Sequence, residues 1–329
     1  MRAGAGREAA RMEPFRGSVA VARGRLTKGM LRGPGFRRLF PDVYVHASVQ
    51  VTSLVLARAA ALVADRAGGV AAGFSAAELL GASCGPLQAP AEVLAPGRIR
   101  SRNDLVARRG EVTGSGLADG ARVTSPLRTA WDLVRRLGQV DAVVALDALA
   151  ARRDRPTFVP HPPGVPPHPD LIALSRLRSR SLGFAPDDLL RWRDTHPGAR
   201  GCAGLDRIVA LADPRAESPP ETRLRLLLVL AGMPAPQVQY RLAVEGRTVR
   251  FDLAYPEALL AIEYDGSDHD DPLDRARDVR TSALGWHTLR ITAADLTRTP
   301  DRTLTVIRTL HQRRSQMLRA ERHTSAPRP

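Results

Sequence analysis

Lysine is almost missing from this chain of 329 residues: Lys28 is the only one, and arginine supplies the other 48 basic side chains. Lysine is the cation whose pKa shifts readily enough for it to act as a base, whereas arginine stays protonated. Any chemistry in the second half of the chain must therefore do without lysine.

Cysteine and long apolar runs are also scarce. Cys84 and Cys202 belong to no CxxC or Cys/His cluster, which excludes a structural zinc site and a disulfide framework. The first 17 residues lack the apolar core of a signal peptide. The apolar run from Ser53 to Ala64 is short and broken by Arg58, so it predicts a buried helix and no membrane partner. We expect a cytoplasmic protein.

Positive charge is abundant and unevenly placed. The formal net charge is +15, and residues 1–216 carry 32 basic and 19 acidic side chains, a net of +13. Residues 217–315 carry 14 of each sign. Summed positive potential attracts phosphate polymers, so the distribution predicts a polyanion-binding arm followed by a neutral domain.

Breaks in composition divide the chain. The Gly33-Pro34-Gly35 break separates short helices from a β-ribbon that ends at Val45, an order typical of a winged helix-turn-helix. The paired prolines between Arg155 and Pro169 predict an extended linker. The expected order is a disordered tail (1–14), a winged helix-turn-helix-like segment (15–50), a mixed helical and β domain (51–152), a Pro-rich linker (153–170), a helical connector (171–212), an α/β domain (213–315) and a disordered tail (316–329).

The α/β domain has the clearest element order. A helix begins at Pro220 and ends at Gly232, and a later helix spans Leu273 to Leu284. Apolar alternation and turn residues predict strands at 238–244, 248–254, 259–264 and 286–291, with a last helix at 300–314. The predicted order is αβββαβα.

Three carboxylates fall on the middle strands of that order. Asp252 lies on the second strand and Glu263 on the third, which a short turn connects, and Asp265 follows two residues later on the same strand face. Clustered carboxylates repel one another unless a cation neutralises them, and Mg²⁺ or Mn²⁺ prefers such oxygen ligands. The pattern predicts a metal site with Asp252, Glu263 and Asp265 as ligands.

The alternative is that these side chains lie on the solvated face of a hairpin, where exposed carboxylates are common. Glu263 follows the apolar run Leu259-Leu-Ala-Ile262, so its charge begins where a buried strand leaves the sheet. That context favours a site.

Several ordered motifs of the same region resemble one family. They are Glu217-Ser-Pro-Pro-Glu221, Arg250-Phe-Asp252, Ile262-Glu-Tyr-Asp-Gly266 with His269, Asp274-Arg-Ala-Arg277 and Leu284-Gly-Trp286. Together they resemble the DUF559-type endonuclease-like family, relatives of very-short-patch-repair nucleases. The resemblance implies a PD-(D/E)XK fold, with Asp252 and Glu263 at the metal-ligand positions and Glu221 as a supporting acid.

The chain departs from that signature at one position, because Asp265 stands where the motif has its lysine. Arg277 or Arg280 on the following helix could stabilise charge, but arginine is a poor general base. His269 is then the candidate for proton transfer at neutral pH. The alternative for His269 is a structural hydrogen bond to the loop at Gly266.

The first half carries a second resemblance. Phe15-Arg-Gly17, Gly24-Arg-Leu-Thr-Lys28, Gly35-Phe-Arg-Arg-Leu39, Asp42-Val-Tyr-Val45 and Val123-Thr-Ser-Pro-Leu-Arg-Thr129 are similar to AbiEi-like abortive-infection antitoxins. The similarity implies a winged-helix DNA-binding segment followed by an antitoxin-type domain at 51–152. The DNA contacts expected from it are Lys28, Arg32, Arg37 and Arg38.

Three functions follow as hypotheses. The first is a DNA-binding, Mg²⁺- or Mn²⁺-dependent endonuclease-like protein of DNA repair or phage defence. The second is a catalytically inactive, DNA-binding regulator of antitoxin type, with a toxin partner or self-association. A protein-interaction module in phage defence is a third.

Overall fold

A computed structural model describes residues 13–181, 183–266 and 272–324, without the side chains of 272–276 and 322–324. Contacts within the chain divide it into two compact units, unit 1 up to Val209 and unit 2 from Ala210. Both mix helices with sheets, so the expected α/β class is confirmed. No helix of the described ranges is both long and apolar enough to cross a bilayer.

Unit 1 begins with two short helices and a small sheet. The side chain of Thr27 accepts a hydrogen bond from the backbone N–H of Met30 and so begins the second helix. The strands pair antiparallel in the order β1-β3-β2. The elements are β1 (Phe15–Arg16), α1 (Gly17–Ala22), α2 (Lys28–Arg32), β2 (Phe36–Phe40) and β3 (Val43–His46).

A six-stranded mixed sheet, in the order β10-β7-β8-β4-β5-β6, follows in unit 1. Its buried side chains Ala91, Val93 and Leu105 pack with alanines of the helix at 53–65. The strands are β4 (Val70–Ala71), β5 (Ala91–Ala95), β6 (Leu105–Arg109), β7 (Ser115–Ala118), β8 (Ala121–Thr124) and, later in the chain, β10 (Val159–Pro160). The helices among them are α3 (Ser53–Asp65), α4 (Gly73–Leu79), α5 (Pro126–Val134) and α6 (Gln139–Ala150).

The proline-rich stretch differs from its expected form as a free linker. Strand β10 pairs antiparallel with β7, and β9 (Asp154–Pro156) pairs with β11 (Arg178–Arg180). Prolines are tolerated here because these are edge or two-stranded pairings, where a missing N–H breaks no central ladder. The division between the units falls after Val209 instead. The remaining helices of unit 1 are α7 (Pro169–Arg176), α8 (Asp188–Asp194) and α9 (Leu205–Leu211), the last extending into the start of unit 2.

Unit 2 follows the predicted element order closely, with one short helix added before the last. The last helix runs to Thr324, so the prediction of a disordered tail from residue 316 is wrong as far as that residue. Its sheet has the order β12-β13-β14-β15, antiparallel except for the parallel pair of β14 and β15. The elements are α10 (Pro219–Leu230), β12 (Gln237–Val244), β13 (Arg247–Tyr255), a 3-10 turn (Pro256–Ala258), β14 (Leu260–Asp265), α11 (Pro272–Ala283), β15 (His287–Thr292), α12 (Ala293–Thr297) and α13 (Pro300–Thr324).

Apolar clusters form the core of unit 2. Leu224 of α10 and Ile307 of α13 pack with Leu253 and Ile262 of the central strands, and all four are fully buried. A second cluster gathers around Trp286, whose ring centroid lies 5.0 Å from that of Phe251. The central strands are therefore held rigidly, which fixes the positions of the polar side chains that they carry.

Candidate functional site

Two carboxylates face each other on the central strands of unit 2. Leu253 of β13 pairs with Ile262 of β14, and Ala254 pairs with Ala261. Continuing this antiparallel register by one residue places Asp252 opposite Glu263, on the same face of the sheet. The sequence prediction that these strands bring the two carboxylates together agrees with this register.

Glu263 is a buried acid with a cationic partner. It is 8% exposed, and the guanidinium of Arg277 on α11 donates to its Oε2 atom. Arg290 of β15 approaches the same oxygen at 3.9 Å. Burial raises the pKa of Glu263 to about 7, with Asp252 adding to the rise, although Arg277 and Arg290 oppose it. Desolvation therefore exceeds the stabilisation that the arginines provide.

Asp252 is half-buried and accepts a backbone hydrogen bond. The N–H of Tyr264 donates to its Oδ2 atom over 2.9 Å. Burial raises the pKa of Asp252, and the negative charge of Glu217 raises it further, against the hydrogen bond from Tyr264. Burial is thus the main cause of the raised pKa of both carboxyl groups, and the charge of Asp252 adds to the rise for Glu263.

Glu221 joins this pair from the first turn of α10. Ser218 caps the helix by accepting from the Glu221 N–H over 3.3 Å, and the Ser218 hydroxyl donates to Glu221 Oε1 over 2.8 Å. The backbone N–H of Glu217 donates to Glu221 Oε2 over 2.8 Å. Burial raises the pKa of Glu221, and Asp252 contributes to the rise through its charge. The expected supporting acid therefore shares an electrostatic environment with Asp252.

Gln239 belongs to the same set, although it is not among the predicted site residues. Its Nε2 atom donates to Glu221 Oε2 over 2.9 Å, and the register of β12 and β13 places it opposite Asp252. Its φ angle is 54°, which is unusual for a glutamine and costs energy. Its Oε1 atom is shielded from solvent and accepts no hydrogen bond within the described part of the chain. No sequence pattern marks a glutamine for this backbone conformation.

The other predicted site residues have mixed outcomes. Asp265 is half-exposed at the end of β14, opposite Thr292 in the parallel register. Arg277 contacts Glu263, whereas Arg280 lies in the last turn of α11. His269 lies outside the described residues. Among the residues that the structure does describe, no three His, Cys, Asp or Glu side chains form a group able to hold a metal ion. The structure thus brings together two of the three expected ligands.

The oxygen atoms of Asp252, Glu263 and Gln239 suit a cation such as Mg²⁺, but Arg277 occupies part of the site. Mg²⁺ is bound through one or two carboxylates and keeps several waters, and Asp252 and Glu263 supply two facing carboxylates. The unsatisfied Oε1 atom of Gln239 adds a neutral oxygen donor close to Glu221. Arg277 would have to share or release Glu263, because it already donates to one of the carboxylate oxygens.

The predicted DNA contacts of unit 1 are exposed side chains. Lys28 and Arg32 lie on α2, and Arg37 and Arg38 are neighbours on β2. Both arginines of β2 are exposed, and its register with β3 shifts between Arg38 and Phe40. Arg38 donates to the backbone oxygen of Phe40 over 3.4 Å. The four side chains stay the predicted DNA contacts of this segment.

Comparison with known proteins gives a distant likeness. No family model matches the chain. The chain is similar to Uncharacterized protein Rv2248 of Mycobacterium tuberculosis strain H37Rv and to Uncharacterized protein MT2308 of strain CDC 1551 / Oshkosh. Each is 28% identical over 189 residues, which cover 56% of this chain and 59% of the relative. The chain thus spans less than two thirds of the length of these relatives. No solved structure matches.

Proposed function

We propose that unit 2 is a PD-(D/E)XK-type, metal-dependent DNA endonuclease domain, and that residues 15–50 form a winged-helix DNA-binding segment. The observation that carries the proposal is the facing pair of Asp252 and Glu263 on the central strands, with Glu221 beside it. Buried acids with raised pKa values in one place are typical of functional sites.

In this proposal Asp252 and Glu263 hold Mg²⁺ or Mn²⁺. The cation would activate water and stabilise the charge that develops on a scissile phosphate. Glu221 and Gln239 orient the acidic site through their mutual hydrogen bond. Arg277 balances the charge of Glu263 and, because it remains protonated, takes no part in proton transfer. Proton transfer then falls to water or to His269.

The ion pair between Arg277 and Glu263 favours a second function. Arg277 already donates to Glu263, and position 265 carries an aspartate where the signature has lysine. Both features suit a domain that keeps the fold and has lost the cleavage reaction. In that case the protein is a DNA-binding regulator of antitoxin type, working with a toxin partner or by self-association.

Cleavage of supercoiled plasmid by the full-length protein separates the two functions. If the enzyme is active, nicking requires Mg²⁺ or Mn²⁺, and Asp252→Asn and Glu263→Gln each reduce it by roughly a hundredfold or more, because each removes a ligand charge. Glu257→Gln is the matched control, since Glu257 is an exposed acid of the same unit that contacts His311. Cleavage that needs no metal, or that survives both site variants, refutes the nuclease proposal.

DNA binding is tested without metal, so that cleavage cannot interfere. Lys28→Ala combined with Arg32→Ala should weaken duplex binding and make the dependence of affinity on salt less steep, because each lost phosphate contact releases one counterion fewer. Arg152→Gln combined with Arg207→Gln removes the same charge from exposed positions elsewhere in unit 1. Equal losses in both double variants would argue against the winged-helix contact.

A further inference from the structure

A cavity of about 380 Å³ in unit 1 lies outside both proposed sites. Its volume falls within the range of small-molecule binding pockets. The floor is apolar and includes Val43, Leu62 and Ile99, and arginines surround it. These arginines come from three separate parts of the chain, namely Arg16, Arg66 and the group Arg98, Arg100 and Arg102.

The group of three arginines is held in place by the connection between β5 and β6. These strands are parallel, so residues 96–104 must return along the length of a strand. Arg98, Arg100 and Arg102 of this connection all line the cavity. Ile99 packs against the core, and the Ser101 hydroxyl accepts from the Ala107 N–H over 3.1 Å. The residues between the arginines therefore anchor the segment.

Charge in this cavity is poorly balanced. Its lining has five arginines against one acid, Asp42, which already accepts two hydrogen bonds from Ser18. Arg16 pairs with Asp65 at 3.1 Å, Arg66 lies 3.7 Å from Asp42, and Arg102 lies 3.6 Å from Asp104. In the ranges that the structure covers, no carboxylate pairs with Arg98 or Arg100.

A neighbouring cavity of about 240 Å³ provides a contrast within the same unit. Each of its arginines pairs with an acid that lines the same cavity or its rim: Arg58 with Asp119 at 2.6 Å, Arg122 with Asp65 at 3.4 Å, and Arg176 with Glu13 at 3.0 Å. Arginine richness alone thus does not leave a cavity cationic in this protein. The larger cavity differs because its arginines outnumber its acids.

We propose that the cavity lined by Arg98 and Arg100 binds the phosphate of a nucleotide unit, either as a free nucleotide or within a DNA strand. Guanidinium groups match phosphate oxygens in pairs, and the apolar floor accommodates the sugar and base. The described lining contains no aromatic, Asn or Gln side chain, and its arginines are the groups suited to phosphate oxygens. The site is independent of the proposed nuclease.

The test is calorimetric titration of the full-length protein in EDTA with dAMP, with deoxyadenosine and with a single-stranded oligonucleotide of about twelve nucleotides. We expect dAMP or the oligonucleotide to bind and deoxyadenosine not to bind. Arg98→Gln combined with Arg100→Gln should weaken that binding at least tenfold. Arg152→Gln combined with Arg207→Gln should leave it within twofold, since neither residue lines the cavity.

A second variant blocks the cavity without altering charge. Ala67 lies at the rim, and Ala67→Tyr should abolish dAMP binding while circular dichroism shows an unchanged thermal midpoint. Binding of dAMP would show that a free nucleotide is a sufficient ligand. If only the oligonucleotide binds, and its binding depends on the arginines, the phosphate that is recognised belongs to a DNA strand. Either result supports the proposal. Undiminished binding in the Arg98/Arg100 or Ala67 variant, an equal loss in the control pair, or no binding of either phosphate ligand overturns it.

Discussion

Replacing Glu263 by glutamine should change how the stability of unit 2 depends on pH. Burial raises the pKa of this side chain from an ordinary 4.5 to about 7. Between these values the folded protein keeps the proton while the unfolded chain releases it. The folded state therefore binds more protons, and stability is lost as pH rises through this window.

The size of the effect follows from the shift. A difference of about 2.5 pKa units at about 1.4 kcal/mol per unit corresponds to about 3 kcal/mol between pH 4.5 and 7. The side chain is 10% exposed, so solvent screening reduces this little. Glu263→Gln removes the titrating group. The loss of unfolding free energy between pH 4.5 and 7 should therefore be smaller by about that amount in the variant, whatever the effect of the substitution at a single pH.

Pulse proteolysis in graded urea, with a protease active from pH 5 to 7.5, measures the unfolding of unit 2 separately from that of unit 1. EDTA is present throughout, so that no bound metal promotes deprotonation of Glu263. Glu245→Gln should keep the wild-type slope, because Glu245 is exposed in the turn between β12 and β13. If wild type and Glu263→Gln lose the same stability over this pH range, then Glu263 is already ionised at pH 5 and the reasoning from desolvation fails.

Two further predictions concern unit 1. Gly73→Ala should cost about 2–4 kcal/mol in thermal or urea unfolding, because φ is 53° and the added Cβ would lie 2.5 Å from Arg136 Nη2. Gly24→Ala, with φ of 65° and open space around it, should cost only about 1 kcal/mol, and similar losses in both would contradict the packing argument. Burial raises the pKa of the Cys84 thiol to about 12. Cys84 should therefore react slowly with Ellman's reagent in the native protein, and half-buried Cys202 should be the one thiol that is labelled rapidly. Rapid labelling of two thiols would contradict this.

The elements of unit 2 could be predicted to within a residue or two at nearly every strand end. Strands alternate there in long runs, and turn residues separate them, as at Glu245 and Gly246, which both have positive φ. The facing of Asp252 and Glu263 followed from the same information, since a short connection between neighbouring strands sets their register. Local pattern was sufficient because the contacts are local.

Features that depend on distant contacts could not be predicted. Nothing within residues 153–170 indicates that Val159 pairs with Leu117, since the partner lies some forty residues earlier. The ion pair of Arg277 with Glu263 depends on how α11 packs beside the sheet, and the strained backbone of Gln239 depends on the bend of β12. The arginines at 98 and 100 became a candidate site only when the structure placed them beside Leu62 and Val43.

The pairing of β10 at the edge of the six-stranded sheet bears on the tendency of the protein to aggregate. An open sheet edge offers unpaired N–H and C=O groups to any other chain, which is how aggregation begins. Here one edge ends in Val159-Pro160, and proline has no N–H to offer. The opposite edge, β6, carries Arg108 and Arg109, whose charges repel an incoming copy. Both edge strands therefore carry residues that disfavour pairing with a further strand.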